Sequence, residues 1–397
     1  MLALNIILAV AAALVLVPIM VFALECVLAS LRGKTKRDGS SSASAPRPRV
    51  AVLIPAYNEA AGIAATVSAV VAQLAPGDRV IVVADNCEDD TATIARNAGA
   101  AVFERADPLH RGKGFALDFG LQQLAADPPG IVFVIDADCR LVEDTINRIA
   151  REVAARDLPI QASNLLEPPP NPGLRDAISA FAFLVKNLVR PLGLDAFGLP
   201  CLLMGTGMAI PWALMKDAHL ASANIVEDMQ LGIDLAIAGY PARLCIQAGV
   251  RGTLGKGTGA MAQRRRWEHG HLRTLLTQVP RLIFQGLRQA RLDLLAMAVD
   301  LAIPPLSLLV LTWAMLTAGC TALWIAGGAP WPFAIVAGGG FCLLVGVLAA
   351  WARFGRRLLP LRCLVAAPIY AVCKLPLYLG FIFKREKAWI RSERSGA

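Results

Sequence analysis

From Met1 to Leu24 the chain offers a single polar side chain, Asn5, in an otherwise unbroken apolar run. A helix of about 20 such residues crosses the hydrocarbon core of a bilayer, so this run predicts a membrane span. A cleaved signal peptide would put basic residues before the apolar stretch; here Arg32, Lys34, Lys36 and Arg37 follow it. Cys26 does not mark a lipoprotein site either, because Glu25 stands where a small residue is expected. Positive charge on the far side of the run directs the N-terminus outward and starts the rest of the chain in the cytoplasm.

Composition agrees that part of the chain belongs in lipid. Of 397 residues, 56% are hydrophobic and 17% charged, against roughly 25% charged in soluble domains. Those figures exclude a disordered chain, a collagen-like fibre and a small disulfide scaffold, and the length suits two or three domains. The nine cysteines are scattered without a C-x-x-C pair; they read as reduced and structural, as expected of a region facing the cytoplasm.

Two further spans are predicted near the end, Pro304–Ile325 and Phe333–Trp351, joined by the uncharged turn Gly327–Pro332 and followed by Arg353, Arg356, Arg357 and Arg362. Leu361–Phe383 is apolar but interrupted by Pro368, Lys374 and Pro376. A complete crossing would put Lys384, Arg385, Lys387, Arg391 and Arg394 outside, so the segment is expected to be re-entrant or interfacial, or else a third C-terminal span with a functional Lys374. Asp38–Pro48 reads as a flexible Ser/Ala/Pro linker. Arg273–Arg291 alternates basic with apolar residues and predicts an amphipathic helix, lying on the inner membrane face or against a soluble domain. The expected division is an anchor over 1–31, a linker over 32–48, a cytoplasmic catalytic domain over 49–270, an interfacial helix over 271–291 and a membrane region over 292–397.

Between anchor and membrane region short apolar runs alternate with helical periodicity. Val50–Ile54, Val80–Ala84, Ala101–Glu104 and Ile131–Ile135 read as strands; Ala60–Leu74, Thr91–Ala98 and Gly114–Ala125 read as helices. That alternation predicts an α/β domain with a mainly parallel sheet and crossover helices, whose ligands bind beyond the carboxyl ends of the strands. Tyr57-Asn58-Glu59, Asp85-Asn86 and Asp136-Ala137-Asp138 stand at three of those ends. The G-x-G-x-x-G fingerprint is missing, since no glycine follows the first strand before Gly62, and Gly252–Gly259 fails as a Walker A loop at Val250 and Gly257. Dinucleotide oxidoreductases and P-loop NTPases are poor readings.

Asp136 and Asp138, two apart at a strand end, converge on one side and suit Mg²⁺ or Mn²⁺ on diphosphate oxygens, with Arg111 and Lys113 in a preceding loop; the alternative is a pair of turn carboxylates capping a helix near Glu143. Glu227-Asp228 opens a helical stretch ending before Gly239, where acids are also ordinary caps and dipole partners. Gln263, Arg266 and Trp267 share one helix face: Arg266 suits a departing diphosphate and Trp267 a sugar ring, while Arg264 and Arg265 suit anionic lipid. His110, His219, His269 and His271 show no H-E-x-x-H spacing, and no G-x-S-x-G elbow supplies a hydrolase nucleophile.

Taken in order, I-P-A-Y-N-E, V-V-A-D-N-C-E-D-D-T, R-G-K-G, D-A-D, G-T-G-M, E-D and Q-R-R-R-W resemble the inverting glycosyltransferase family 2 with its Rossmann-like GT-A fold, over Arg49–Trp267. In particular they resemble the membrane-embedded branch of cellulose, chitin and hyaluronan synthases. The resemblance implies that Tyr57, Glu59 and Asp85 hold the nucleoside of a nucleotide-sugar donor, with Lys113 nearby. It implies that Asp138, assisted by Asp136, binds a divalent metal on the diphosphate. Asp228, beside Glu227, would be the general base, and Gln263, Arg266 and Trp267 would line the junction of acceptor and leaving group. The chain departs from the pattern at Ala84-Asp85-Asn86-Cys87, where the family often has two acids, a glycine and a serine, and at Val226, where processive synthases often have threonine. Three clear spans are few for a chain-extruding channel.

The expected function is therefore sugar transfer to a saccharide or lipid-linked acceptor in exopolysaccharide or cell-surface glycan assembly. It would take place at the inner (plasma) membrane with the catalytic domain cytoplasmic, beside other polysaccharide-assembly proteins. The alternatives are a glycolipid synthase acting on a sphingolipid or polyprenyl phosphate, and a non-catalytic nucleotide-binding scaffold. Nucleic acid is not an expected partner: the basic residues behind the net charge of +9 flank the spans and Gln263, where lipid and diphosphate account for them.

Overall fold

The computed structural model describes residues 1–32, 47–169, 171–218, 220–221, 226–255 and 257–383. The elements begin with α1 (Leu2–Leu31), β1 (Val50–Ala56), α2 (Ile63–Val71), β2 (Arg79–Asp85), α3 (Thr91–Asn97), β3 (Ala101–Arg105), α4 (Lys113–Leu124) and β4 (Ile131–Val134). Then come β5 (Arg140–Leu141), α5 (Thr145–Arg156), β6 (Ile160–Glu167), α6 (Leu174–Leu184), α7 (Arg190–Asp195), β7 (Met208–Pro211), α8 (Trp212–Met215), α9 (Glu227–Ile237) and β8 (Arg243–Thr253). The chain continues through α10 (Gly257–Arg288), α11 (Leu292–Leu301), α12 (Leu306–Ile325), α13 (Trp331–Ala350), α14 (Leu361–Val365), α15 (Ala367–Cys373) and α16 (Leu375–Phe383).

Two compact units share this chain. One is drawn from Met1–Lys34, Pro168–Leu199 and Glu268–Glu386, the other from Thr35–Glu167 and Pro200–Trp267. Pro168–Leu199, within the stretch 49–270 expected as one domain, groups in this division with the N-terminal helix. The expected linker over 32–48 lies mostly outside the described residues, as do His219 and the basic residues from Lys384 onward.

The second unit is an eight-stranded sheet in the order β3-β2-β1-β4-β7-β6-β8-β5. β1 runs parallel to β2 and β4, β2 to β3, and β6 to β8; β7 is antiparallel to both neighbours and β5 to β8. Strand alternation splits the core in two. Val50, Val52, Ile54, Ile131 and Phe133 meet Ile63 and Val67 of α2 and Ile146 and Ile149 of α5 on one face. Ala51, Leu53, Val132 and Val134 meet Leu117 and Leu121 of α4 and Leu231 of α9 on the other. Covering both faces is what lets the strands read as continuous apolar runs. Each fully buried large side chain contributes about 1.5–3 kcal/mol. Gly120 lets α4 approach the sheet: a Cβ there would lie 2.6 Å from Leu53 Cδ1.

In the first unit, four helices among the described residues are long and apolar enough to cross a membrane: Leu2–Leu31, Leu174–Asp195, Leu306–Ile325 and Trp331–Gly355. Three coincide with predicted spans. The fourth, which runs from α6 through a π-helical turn into α7, was hidden in the sequence by Arg175, Asp176, Lys186, Arg190 and Asp195. Arg190 is answered inside the unit, donating to Glu25 at 2.8 Å and ion-pairing with Asp300. Gly193 permits the close packing of α7 on α1, since a Cβ would strike the Glu25 backbone. Arg273–Arg291 is no separate helix: α10 continues from the Q-R-R-R-W motif through Pro280 to Arg288. Leu361–Phe383 forms three short helices instead of one, as prolines at the starts of α15 and α16 dictate. Lys374 pairs with Glu268, which also accepts from Tyr378 Oη at 2.7 Å.

Candidate active site

The strand ends of the second unit gather the acids. Beyond β4, the Asp136 N–H donates to Thr206 Oγ1 at 3.0 Å. Lys113, the first residue of α4, ion-pairs with Asp136 and donates to the Gly205 carbonyl at 2.7 Å. A Cβ on Gly205 would lie 2.9 Å from Asp228 Oδ2 and 3.4 Å from Lys113 Nζ. A bare backbone at φ +79° is therefore what allows Lys113, Asp136 and Asp228 to converge. Burial works against the charge of Lys113, but Asp136, Glu227 and Asp228 outweigh it and hold the ammonium above its usual range. Glu227 is buried at the start of α9, and burial together with the charge of Asp228 pushes its carboxyl up to about 8, with Lys113 opposing.

Asp136, Asp138 and Cys139 bring their ligand atoms within 4.8 Å of one another. The two carboxylates are hard oxygen donors of the kind Mg²⁺ and Mn²⁺ take. Cys139 is a poor third: burial keeps its thiol neutral, well above its ordinary pKa. Neither carboxylate caps the following helix, for α5 starts at Asp144 as its N-cap. Likewise Val226, not an acid, is the N-cap of α9, and Glu227 and Asp228 fall in its first turn.

The loop carrying Gly205 is braced by a residue that the sequence reading passed over. Gln161 on β6 is fully buried. Its Nε2 donates to Thr206 O at 2.8 Å and Gly207 O at 3.2 Å, and its Oε1 accepts from Met204 N at 2.9 Å. The available signal was a fully buried amide on a strand that also carries Ser163 and Asn164, matched with two glycines at positive φ in G-T-G-M.

Tyr57, Glu59 and Asp85 stand at the ends of β1 and β2, whose loops are laced together. Asn58 Oδ1 accepts from Glu88 N at 2.8 Å and Glu59 N donates to Thr91 Oγ1 at 2.8 Å. Asn58 and Asn86 both adopt positive φ. Asp85, 5% exposed, has its carboxyl raised by burial, an effect that the neighbouring Arg105 opposes. Arg105 was not singled out in the sequence. Gln263, Arg266 and Trp267 all lie on α10, and at i, i+3 and i+4 they share a face; the first two are half-buried and Trp267 is 37% exposed.

A Rossmann-like sheet thus gathers paired carboxylates and a lysine beyond the ends of its strands. The family described as glycosyltransferase like family 2 matches residues 46–270, more than half of the chain, and the chain belongs to that family. Uncharacterized glycosyltransferases of Mycobacterium tuberculosis and Mycobacterium bovis are 38% identical over 104 residues, 26% of this chain; the aligned stretch spans 43% of those relatives' length. Among solved structures, the mannosyltransferase PcManGT from Pyrobaculum calidifontis, in complex with GDP-Man and Mn²⁺, has a TM-score of 0.57 at 17% identity. That likeness covers 97% of this chain and 99% of the other and extends the shared fold beyond the sheet.

Proposed function

We propose that the protein is a membrane-bound, metal-dependent inverting glycosyltransferase that moves a sugar from a nucleotide-sugar to a membrane-held saccharide or lipid-linked acceptor. The observation that carries this reading is the convergence of Lys113, Asp136 and Asp228 around Gly205, with Asp138 beside Asp136. Asp138 and Asp136 would hold the divalent ion, which when bound supplies positive charge to the leaving diphosphate. Asp228 takes the proton of the acceptor hydroxyl, a group too weakly acidic to attack unaided. Lys113 and Arg266 add fixed positive charge where the leaving group develops negative charge, and Trp267 offers its face to the sugar. Tyr57, Glu59 and Asp85 hold the nucleoside. Attack from the Asp228 side displaces the diphosphate in one step and inverts the anomeric centre. Glu227 stands beside the base in the first turn of α9. The apolar helices and flanking basic residues support a plasma-membrane location with the site facing the cytoplasm.

The test is turnover by detergent-purified protein offered UDP-, GDP- and dTDP-sugars with native membrane lipid. Nucleotide release is expected to need Mg²⁺ or Mn²⁺ and to stop on chelation. Asp138→Asn and Asp228→Asn are each expected to lower turnover about 10²–10⁴-fold while leaving folded, membrane-inserted protein. Near-normal turnover in either variant would remove the role given to that residue, and product mass would separate a lengthened glycan from a glycosylated lipid.

A further inference from the structure

Arg105 closes β3 and lies across the nucleoside end of the site. Its Nη1 donates to Asp85 Oδ1 at 2.6 Å and to the His110 carbonyl at 2.8 Å, and its Nη2 to Asp107 Oδ2 at 3.0 Å. The guanidinium carbon sits 5.7 Å from the centre of the Phe115 ring on α4. Asn86 locks the same assembly from the other side. Its N–H donates to Arg105 O at 2.7 Å, its Nδ2 to Asp85 Oδ1 at 2.9 Å, and its Oδ1 accepts from Asp107 N at 2.8 Å. Asp107 in turn accepts from Leu109 N and His110 N, at 3.1 and 3.2 Å. The segment pinned in this way runs directly into Gly112 and Lys113. One guanidinium thus ties the carboxylate at the end of β2 to the loop that delivers the lysine beside Asp136.

We infer that Arg105 is a positioning residue of the donor site, setting Asp85 for the nucleoside and the Arg111–Lys113 loop for the diphosphate at the same time. This rests on the reading of the strand ends as a nucleotide-sugar site. The Asn86 departure from the family pattern gains a purpose here, because its side chain completes the clamp. Removing Arg105 leaves Asp85 buried without its counter-charge and frees the loop, so the loss falls on binding of the donor, which ground state and transition state share, more than on the chemical step. A lysine keeps the charge but not the planar fork that reaches three acceptors.

The experiment measures UDP and GDP affinity by titration calorimetry, and KM and kcat with the preferred donor, for detergent-purified wild type, Arg105→Ala and Arg105→Lys. Loss of charge-assisted hydrogen bonds predicts that Arg105→Ala weakens nucleotide binding and raises KM about 10–100-fold, with kcat falling by less than KM rises and a changed UDP-to-GDP preference. Arg105→Lys should fall between the two. A folded Arg105→Ala that binds nucleotide within about twofold of wild type, or loses kcat with KM and base preference intact, overturns the proposal. If Arg105→Ala does not fold, Arg105→Lys decides by the same criteria. Wild type that binds nucleotide without transferring sugar would overturn the proposed function and still read out Arg105 through affinity; wild type that binds neither nucleotide would overturn both.

Discussion

Two positions show how far single residues govern this site. At Gly205 a methyl group has nowhere to go: the backbone is in the left-handed region, and the added carbon would lie within 3 Å of Asp228 Oδ2. Gly205→Ala is expected to cost about 1–3 kcal/mol in stability and to lower turnover by displacing Asp228, read by melting temperature and kcat together; unchanged kcat would mean that Asp228 tolerates the shift. Glu227 makes the second case. Its folded pKa, about 8, lies above the unfolded value of 4.5, so its contribution to stability is fully present below 4.5 and is lost as pH rises through 8. Glu227→Gln should flatten that part of the melting-temperature profile between pH 5 and 9, whereas parallel profiles for variant and wild type would show that Glu227 does not titrate there. Asp136 and Asp138 stood out in the sequence because acids at a strand end advertise themselves by position, whereas Asp228, in the first turn of α9, stood out only through the family resemblance. Arg105 and Gln161 did not, since their meaning comes from partners brought near by the fold: Asp85 lies 20 residues from Arg105 and Met204 lies 43 from Gln161.

At the scale of elements, the half of the sheet from β1 to β4 was readable because β1, β2 and β4 are buried apolar runs and a helix follows each of the first three strands. The other half hides its period. β5 has two residues and β7 four, ending in Pro211, and β6 carries Gln161, Ser163 and Asn164, polar side chains buried in the interior. The pairing of β6 with β7 is where stability and activity meet, because Gln161 bonds the loop leading into β7. Gln161→Ala would leave the Met204 N–H and the Thr206 carbonyl without that partner, at a cost of about 1–3 kcal/mol. Denaturant unfolding would measure the loss, and activity should fall with it as the Gly205 turn loosens; a variant as stable as wild type would show that the loop holds itself. Proline placement at α15 and α16, by contrast, was legible, and it explains why that apolar segment breaks into short helices.

At the scale of the whole molecule, the chain leaves the sheet unit after β6, contributes Leu174–Asp195 to the helical unit, and returns at Pro200 for β7. Sequence reading missed this excursion because the charges of that helix resemble a soluble surface until Arg190 is seen against Glu25 and Asp300. A fragment limited to residues 47–270 would carry the helix without α1 and α11, and is expected to aggregate in the absence of detergent, as size-exclusion chromatography would show. A soluble, monodisperse fragment would mean that the helix does not need them. The excursion also sets an order of events during synthesis. At roughly 5–20 residues per second, β1 to β4 can pair while the ribosome is still making Pro168–Leu199, but Gly205 and Asp228 emerge only after that stretch has been released. The turn at Gly205 therefore cannot bring Lys113 and Asp228 together until Leu174–Asp195 has left the ribosome, so during synthesis the helix always precedes the acidic cluster.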